Sequence, residues 1–324
     1  MTILHVGLDD IDTPHGGCTT HLASLIIEKL NGKVKFLDYP RLIRLNPNIP
    51  WKTRGNGAVA LELNVDDVEY VKSLVVDVVK GYVEEFHHPS SQPVVVFTVG
   101  PVDEKLKWFG LKTVRDVVTL DVALKVLDMV KGEYYKFTSG SRGVIGALAA
   151  IGVTLENCDY TFEIIAYRSR SFWGKPRLVD EDSVFKMDVK TRPKTFLNVD
   201  WRFRRVLITP RGPDPILFGI RGEDPKVLVE ALKMVKTYEP IDRWVIFRTN
   251  QATDMHLVEK NIGDVRVYQS VIVRGVVSKP PRVIRGGHVI FQVNDNTGSI
   301  ECAVYKQTES SLLYFLYFLL YVLL

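Results

Sequence analysis

Cysteine is scarce in this chain. Cys18, Cys158 and Cys302 are the only three in 324 residues, they lie far apart, and no two form a C-x-x-C pair. Spacing rules therefore build neither a disulfide framework nor a zinc site, and reduced thiols in a cytoplasmic setting are the expectation. Charge of one sign is not in excess either. The net charge of +4 permits a nucleic-acid partner without demanding one. No charged segment followed by an apolar stretch opens the chain, so no secretory leader is expected. The G-x-x-x-x-G-K-[ST] loop of the common nucleotide-binding fold is missing. The 7 histidines are scattered, and His87 and His88, close before a proline, read as loop residues rather than ligands. One long apolar run, Ser311–Leu324, is too short to span a bilayer as a helix and has no charged anchors, so no membrane partner is expected. Hydrophobic residues at 46% and charged residues at 25% are ordinary for a globular protein, and the length suggests two or three domains.

The most informative stretch present is Gly7-Leu-Asp-Asp-Ile-Asp-Thr-Pro-His-Gly-Gly-Cys-Thr-Thr20. An apolar strand, 3–8, ends in Asp9, Asp10 and Asp12. Carboxylates crowded at a strand end repel one another and favour a cation between them. Hard oxygen donors suit Mg²⁺, which commonly arrives with nucleotide phosphates. Gly16 and Gly17 free the backbone to approach a phosphate, and the N-terminus of the helix that follows favours an anion. Thr19 and Thr20 sit where a hydroxyl could meet a phosphoryl group. The residues alone leave a second reading open, an acidic turn with a threonine N-cap. Cys18 has no histidine placed beside it and reads as a buried small residue.

Residues 1–135 read as an α/β unit, with strands at 3–8, 36–45, 58–64 and 93–99 and helices at 20–31, 66–82, 113–119 and 121–131. Residues 136–257 read as a second unit of ferredoxin-like type, with helices 143–151 and 225–236 and strands 160–167, 205–209 and 243–247. Within that second unit runs a long polar connector, 169–200, of the kind often found functional. From 258 to 307 three alternating strands, within 265–275, 287–294 and 299–305, look like the start of an OB-fold barrel, incomplete at three strands. The fold class is thus α/β multidomain. Basic clusters at Tyr167–Arg170, Arg202–Arg205 and Arg282–Arg285, with Phe172, Trp173 and Trp201 among them, suit a phosphate-tracking surface with stacking platforms; they equally suit a solvated face.

The aspartate segment resembles the N-terminal motif of the archaeal tRNA-isoleucine 2-agmatinylcytidine synthetases, D-D-T-D-S-x-x-G-M-C-T-T, with Ile11 in place of a threonine and Gly17 in place of a methionine. Four further blocks follow that family in order: Lys52–Ala58, Gly140–Gly152, Gly212–Gly222 and Trp244–Gln251. The resemblance extends from Met1 to about Lys306. It implies an ATP-dependent ligase with a kinase-like catalytic domain, which replaces the 2-carbonyl oxygen of the wobble cytidine in a CAU-anticodon isoleucine tRNA by agmatine, leaving AMP and phosphate. Under it, Asp9, Asp10 and Asp12 are catalytic Mg²⁺ ligands and Thr19 is the threonine the family phosphorylates on itself. Gly16, Gly17, Thr20, Lys52, Arg54, Gly55, Asn56 and Gly57 become ATP contacts, as do Ser141 and Arg142 in a second Gly-rich loop. For Lys52–Gly57 a basic hairpin turn stays open as the other reading, since Asn-Gly is a strong hairpin signal; for the loop at 139–143, a tight turn between units.

Agmatine carries a guanidinium and an amine, so its pocket should offer carboxylates and an aromatic face. Glu163, Asp214 and Trp173 are the candidates, with Asp214 between two prolines also suited to a rigid turn. The match stops in mid-barrel. The tail from 308 to 324 is unlike the family, which continues through further barrel strands and a zinc ribbon. A shifted or truncated reading frame is the expectation, with a separately encoded C-terminal fragment then the partner that would complete the barrel; the other reading is a native hydrophobic peptide that docks on a partner. A non-catalytic RNA-binding protein, or a kinase-competent remnant, are the competing functions.

Overall fold

The computed structural model describes residues 1–52 and 55–306. Thr53, Arg54 and the apolar tail of the sequence reading lie outside the described residues. Two compact units are present, Met1–His256 and one beginning at Leu257. The first runs β1 (Thr2–Asp9), α1 (Thr19–Leu30), β2 (Lys35–Phe36), β3 (Arg41–Arg44), β4 (Gly57–Val65), α2 (Val68–Phe86), β5 (Val94–Val99), α3 (Glu104–Arg115), α4 (Leu120–Met129) and β6 (Glu133–Lys136). It continues with α5 (Gly143–Gly152), β7 (Thr161–Arg168), α6 (Glu181–Thr191), β8 (Thr195–Phe196), β9 (Val199–Asp200), β10 (Arg205–Val206), β11 (Ile216–Gly222), α7 (Pro225–Met234) and β12 (Ile241–Thr249). The second unit holds β13 (Leu257–Glu259), β14 (Ser270–Ile272), β15 (Val276–Val283), β16 (Val289–Asn294) and β17 (Ser299–Val304).

One sheet runs through the whole first unit in the order β6-β5-β1-β4-β3-β12-β7-β11-β8, with β2 paired to β4. Strand β1 lies between two antiparallel partners, Val6 facing Leu61 on β4 and Phe97 on β5. Both faces of this half are covered, which is why its strands are nearly continuous apolar runs. On one face, Leu4, Val6, Leu8, Val59, Leu61 and Leu63 pack with Leu22, Ile26 and Leu30 of α1 and Val71, Val75 and Val79 of α2. On the other, the alternate residues Ala58, Ala60, Val94 and Val96 meet the helices α3, α4 and α5. Helix α5, Gly-Val-Ile-Gly-Ala-Leu-Ala-Ala-Ile-Gly, is apolar all round and buried along its length. Gly7 lets it sit directly on β1: a Cβ there would overlap the Ala147 carbonyl.

The later half of the sheet is β7-α6-β8-β11-α7-β12, with its strands side by side as β12-β7-β11-β8, all antiparallel. Its join to the first half is the short parallel pairing of β3 with β12, Arg41 facing Arg248. Asn250 fastens that join. Its Oδ1 accepts from the Arg44 N–H at 2.7 Å and its Nδ2 donates to the Arg44 carbonyl at 2.9 Å. In the second unit β15, β16 and β17 form an antiparallel three-stranded sheet, and no closed barrel is present among the described residues.

Several elements depart from the sequence reading. The helix expected at 113–119 is α3, at 104–115. Asp103 caps it, accepting from the Leu106 N–H at 2.9 Å, and Leu106, Phe109, Thr113 and Val114 form its buried stripe. The strand expected over 36–45 is two pieces interrupted before Pro40, which has no N–H to donate. The connector 169–200 contains α6, capped by Asp180 and buried through Val184 and Met187. The strand expected at 205–209 is only β10, while β11 was not expected at all; Gly219 and Gly222 disguise it. In the second unit the first long strand is β15, which runs through Pro280 and Pro281 rather than stopping before them.

His21 on α1 has a pH consequence. It is 5% exposed, its Nδ1 is 3.1 Å from the Tyr82 hydroxyl, and the Tyr167 and Trp173 rings flank it at 5.3 and 5.2 Å. Burial, helped by the positive charge of Arg243 and opposed by Asp242, lowers its pKa from 6.5 to about 4. Between these values the unfolded chain binds the proton that the folded chain refuses, so stability falls as pH drops through the window. This one group is expected to cost about 2 kcal/mol between pH 7 and pH 5. Urea unfolding at the two pH values checks it: His21→Gln should lose less than wild type by about that amount, and equal losses would remove the account.

Candidate active site

Asp9, Asp10 and Asp12 come together at the C-terminal end of β1, where the chain leaves the sheet. They line a solvent-open cleft of about 720 Å³, walled also by Thr19, Ile49, Trp51, Lys52, Asn56, Thr113, Val118, Arg142 and Gly146.

Each aspartate is held differently. The Asp9 carboxylate lies against Gly146, where a Cβ would overlap it; α5 thus carries glycine at the one position that seats this side chain. Burial, then the charges of Asp10 and Asp12, push the Asp9 carboxyl well above the usual range. Asp10 adopts a left-handed φ of 58°, one of the few conformations in which aspartate is tolerated with positive φ. Its Oδ2 accepts from Arg142 Nη2 at 2.7 Å, Arg142 Nε at 3.1 Å and the Gln92 N–H at 3.1 Å. Burial raises the Asp10 carboxyl, and Arg142 opposes that. Asp12 Oδ1 accepts from both the Thr19 N–H at 2.8 Å and the Thr19 hydroxyl at 3.0 Å. It therefore satisfies the first turn of α1 from outside, and the helix begins at Thr19 with Cys18, not a threonine, in the N-cap position. The N-cap reading of Thr19 and Thr20 is corrected accordingly.

No group of three or more histidine, cysteine, aspartate or glutamate side chains is placed to hold a metal among the described residues. The reason is local: Asp10 is turned onto Arg142 and Asp12 onto Thr19.

The second Gly-rich loop is brought to the same cleft. Arg142 stands at the start of α5, its own N–H donating to Gln92 Oε1 at 2.8 Å. Ser141 is adjacent, its carbonyl accepting from the Val144 N–H at 3.0 Å. Lys52 lines the cleft, but its ammonium donates to the carbonyls of Pro47 at 2.5 Å and Ile49 at 3.1 Å. Asn56 has a left-handed φ of 48° and donates to the Asn46 carbonyl at 2.6 Å. Asn56-Gly57 is not a two-residue hairpin. It ends a long β3–β4 loop, in which Leu45 donates to the Asn56 carbonyl at 2.8 Å. Arg54 lies outside the described residues. Gly16 and Gly17 are buried in the turn before α1, where the Gly17 N–H donates to Thr13 Oγ1 at 3.1 Å. Cys18 is 4% exposed, with Sγ 3.2 Å from the Thr20 hydroxyl.

A second cleft shares Asp12, Thr19 and Gly57 with the first and extends toward β7 and β11, lined by Thr20, Arg44, Glu163, Ile208, Asp214 and Arg221. Thr19 and Asp12 thus stand where the two clefts meet. Glu163 is 4% exposed; its carboxylate lies 3.3 Å from Arg221 and 3.7 Å from Arg44. Asp214 pairs with Arg177 at 3.3 Å. Trp173 is not brought to either cleft. Its indole N–H donates to the Arg168 carbonyl at 3.0 Å, and its ring packs on His21 and Phe86. Of the basic cluster Tyr167–Arg170 only Arg170 is exposed: Tyr167 is fully buried, and the Arg168 side chain is 1% exposed against Glu239.

Sequence reasoning missed Gln92, Gly146, Arg44 and Arg221. Gln92 carried no motif signal. Gly146 lies inside the quoted Gly140–Gly152 block and could have been singled out as a glycine within a helix.

A β-strand ending in aspartates, beside a helix N-terminus and a hydroxyl at the junction of two clefts, defines a site suited to phosphoryl-group chemistry. The comparisons agree in kind. A family model described as the TiaS TCKD domain matches residues 5–139, and one described as the TiaS FLD domain matches residues 141–256. The isoleucine-tRNA 2-agmatinylcytidine synthetase TiaS of Staphylothermus marinus is 46% identical over 316 residues, covering 95% of this chain and 69% of that protein. The same-named protein of Pyrococcus horikoshii is 45% identical, covering 95% of this chain and 72% of its own length. Among solved structures, a complex of TiaS with its isoleucine tRNA and ATP superposes with a TM-score of 0.86 at 42% identity, over 94% of this chain and 73% of the other. A complex of TiaS with that tRNA, AMPCPP and agmatine gives 0.84 at 41%, over 94% and 74%. The chain belongs to the TiaS family of isoleucine-tRNA 2-agmatinylcytidine synthetases.

Proposed function

We propose that this chain is an ATP-dependent ligase that joins agmatine to the wobble cytidine of a CAU-anticodon isoleucine tRNA, forming 2-agmatinylcytidine. The observation that carries the assignment to particular residues is the sharing of Thr19 and Asp12 by the two clefts. The first cleft takes ATP. Ile49, Trp51 and Val118 offer an apolar wall for the base, and Lys52, Arg142 and the Asn56-Gly57 backbone lie on the phosphate side. The second takes agmatine, with Asp12, Glu163 and Asp214 as the carboxylates of its wall. The cytidine enters where the clefts meet.

The chemistry dictates that arrangement. A ring carbonyl oxygen is a poor leaving group; phosphorylation lets it depart as phosphate when the agmatine amine attacks C2, and transfer of a second phosphoryl group from the nucleotide through the Thr19 hydroxyl to water leaves AMP and a second phosphate. Phosphoryl transfer is mostly positioning and charge neutralisation. Asp12 orients the Thr19 hydroxyl. Arg142 and Gln92 fix Asp10, and Gly146 makes room for Asp9. The hard oxygen donors of Asp9, Asp10 and Asp12, and the mutual repulsion that helps raise the Asp9 carboxyl, fit Mg²⁺, which Asp9 would hold with Asp10 and Asp12 beside it. When bound, Mg²⁺ supplies neutralisation of the phosphate charge.

The domain reading follows the same division: a kinase-like catalytic domain at 1–135, a ferredoxin-like domain at 136–257 and a partial OB-fold at 258–307. The βαββαβ order and the β12-β7-β11-β8 arrangement support the second of these, and the three-stranded β15–β17 sheet supports the third. No helix of the described residues is long and apolar enough to cross a membrane.

Thr19→Val tests the site. It keeps the N–H that Asp12 accepts and the β-branched shape, and removes only the hydroxyl. We expect agmatine incorporation to fall by about a hundredfold or more, with the thermal midpoint within a few degrees of wild type. Retained incorporation would remove Thr19 from the chemistry.

A further inference from the structure

The basic cluster Arg202–Arg205 is not used by either cleft, and the structure gives it a form. β9 and β10 are a short hairpin, Val199 facing Val206, whose connecting residues Trp201–Arg204 are all exposed. Phe203 is 68% and Trp201 51% exposed. Neither ring is there to fill a core; the backbone that carries Phe203 is fixed, and the Trp201 ring itself is held. The Asp200 carboxylate accepts from the N–H groups of Arg202 and Phe203, each at 3.1 Å, and shapes the turn. The Trp201 indole N–H donates to Asp188 at 2.9 Å, and the ring meets Phe185 edge-on at 5.2 Å. Guanidinium groups lie over both rings, Arg192 over Trp201 at 5.3 Å and Arg202 over Phe203 at 5.2 Å. Lys190, Arg192, Lys194, Arg204 and Arg205 are exposed around them. The nearby acids offset this only in part. Asp188 is buried and hydrogen-bonded to Asn198 and Trp201, while Asp182 and Asp200 stand 4.0 Å from Arg204 and Arg205.

Resting on the function proposed above, we infer that this hairpin is an RNA-gripping surface, on which Phe203 and Trp201 stack unpaired bases and the surrounding arginines and lysines bind the backbone of the tRNA substrate. Exposed aromatic rings set among cations are what base stacking with phosphate tracking requires. The surface is also continuous with the chemistry. The chain that leaves the hairpin after Val206 passes through Leu207, Ile208 and Pro210, which are wall residues of the second cleft. RNA held at the hairpin is therefore held beside the cleft to which its cytidine must be delivered.

The test uses the full chain and direct binding of a CAU-anticodon isoleucine tRNA transcript, with poly-glutamate as a competing acidic polymer. Phe203→Ala removes an exposed ring that no fold contact needs. Arg204→Asn removes one cation while keeping a residue tolerant of the left-handed φ of 46° found there. Phe203→Ala is expected to weaken transcript binding roughly tenfold and Phe203→Trp to restore it. Arg204→Asn should flatten the log-affinity against log-salt slope by about 0.7–0.9. Where turnover is measured, KM for tRNA rises while KM for ATP and agmatine holds. Unchanged binding in both variants, no transcript binding by wild type, or equal weakening of poly-glutamate binding by Phe203→Ala would each overturn the inference. Transcript binding that responds as expected, without agmatine incorporation by wild type, would sink the ligase reading and sustain this one.

Discussion

Asp9→Asn is expected to reduce ATP-dependent agmatine incorporation by about two to three orders of magnitude while leaving the fold as stable as before or more so. The two halves of that expectation have one cause. The Asp9 carboxyl is pushed well up by burial and by the charges of Asp10 and Asp12, so its ionised form is a cost to the folded chain. Asparagine has the same shape, fits the same space against Gly146, and carries no charge. A group retained at such a cost, on a cleft wall, is more readily explained by function than by stability. Removal of one electrostatic contact to a developing charge typically costs a factor of about 10²–10³ in turnover. Incorporation within threefold of wild type would refute the assignment. A large fall in the thermal midpoint would show instead that the carboxylate is a structural acceptor.

Arg168→Met should produce the largest loss of stability of any single change considered, about 3–5 kcal/mol. Arg168 on β7 and Glu239 before β12 are 1% and 0% exposed and form a two-pronged pair, Nε to Oε2 and Nη2 to Oε1, each at 2.8 Å. Methionine would leave the Glu239 carboxylate buried and uncompensated. The pair also serves main-chain groups. Arg168 donates to the carbonyls of Lys175 and Pro176 at 2.8 and 3.0 Å, and Glu239 accepts from the Leu178 N–H at 2.9 Å. Many buried pairs can be replaced by apolar residues with little loss. This one cannot, because those main-chain groups would stay unsatisfied, so Arg168→Met/Glu239→Leu should recover only part of the deficit. Urea unfolding of the three proteins decides it, and full recovery in the double variant would contradict the main-chain argument.

Legibility in the sequence followed the number of jobs each residue performs. Helices α1, α2 and α7 were readable because one-sided burial leaves a periodic trace, and the central strands and α5 because burial on all sides leaves a continuous apolar run. α6 was not: its outer face is charged and its inner face is little more than Val184 and Met187. β11 was hidden by Gly219 and Gly222, the first lying against Glu163 and the second against the Lys194 carbonyl. The aspartates at the end of β1 were conspicuous because like charges rarely cluster without cause. The individual fates of Asp10 and Asp12 could not be read. The partners of Asp10, Arg142 and Gln92, come from the start of α5 and the loop before β5, 132 and 82 positions away. Trp173 was chosen for the chemistry of its ring alone, and its partner proved to be the buried His21. Composition names candidate ligands, but only packing says which side chains are already engaged.

The measurement that tests the central claim most directly is incorporation of radiolabelled agmatine into a CAU-anticodon isoleucine tRNA transcript by this chain, with ATP and Mg²⁺, beside tubes lacking ATP and tubes with the CAU anticodon changed. The account predicts label in the transcript that requires ATP and the CAU cytidine, with AMP and phosphate appearing alongside it. Transcript that stays unlabelled, in tubes where ATP also remains intact, would contradict it.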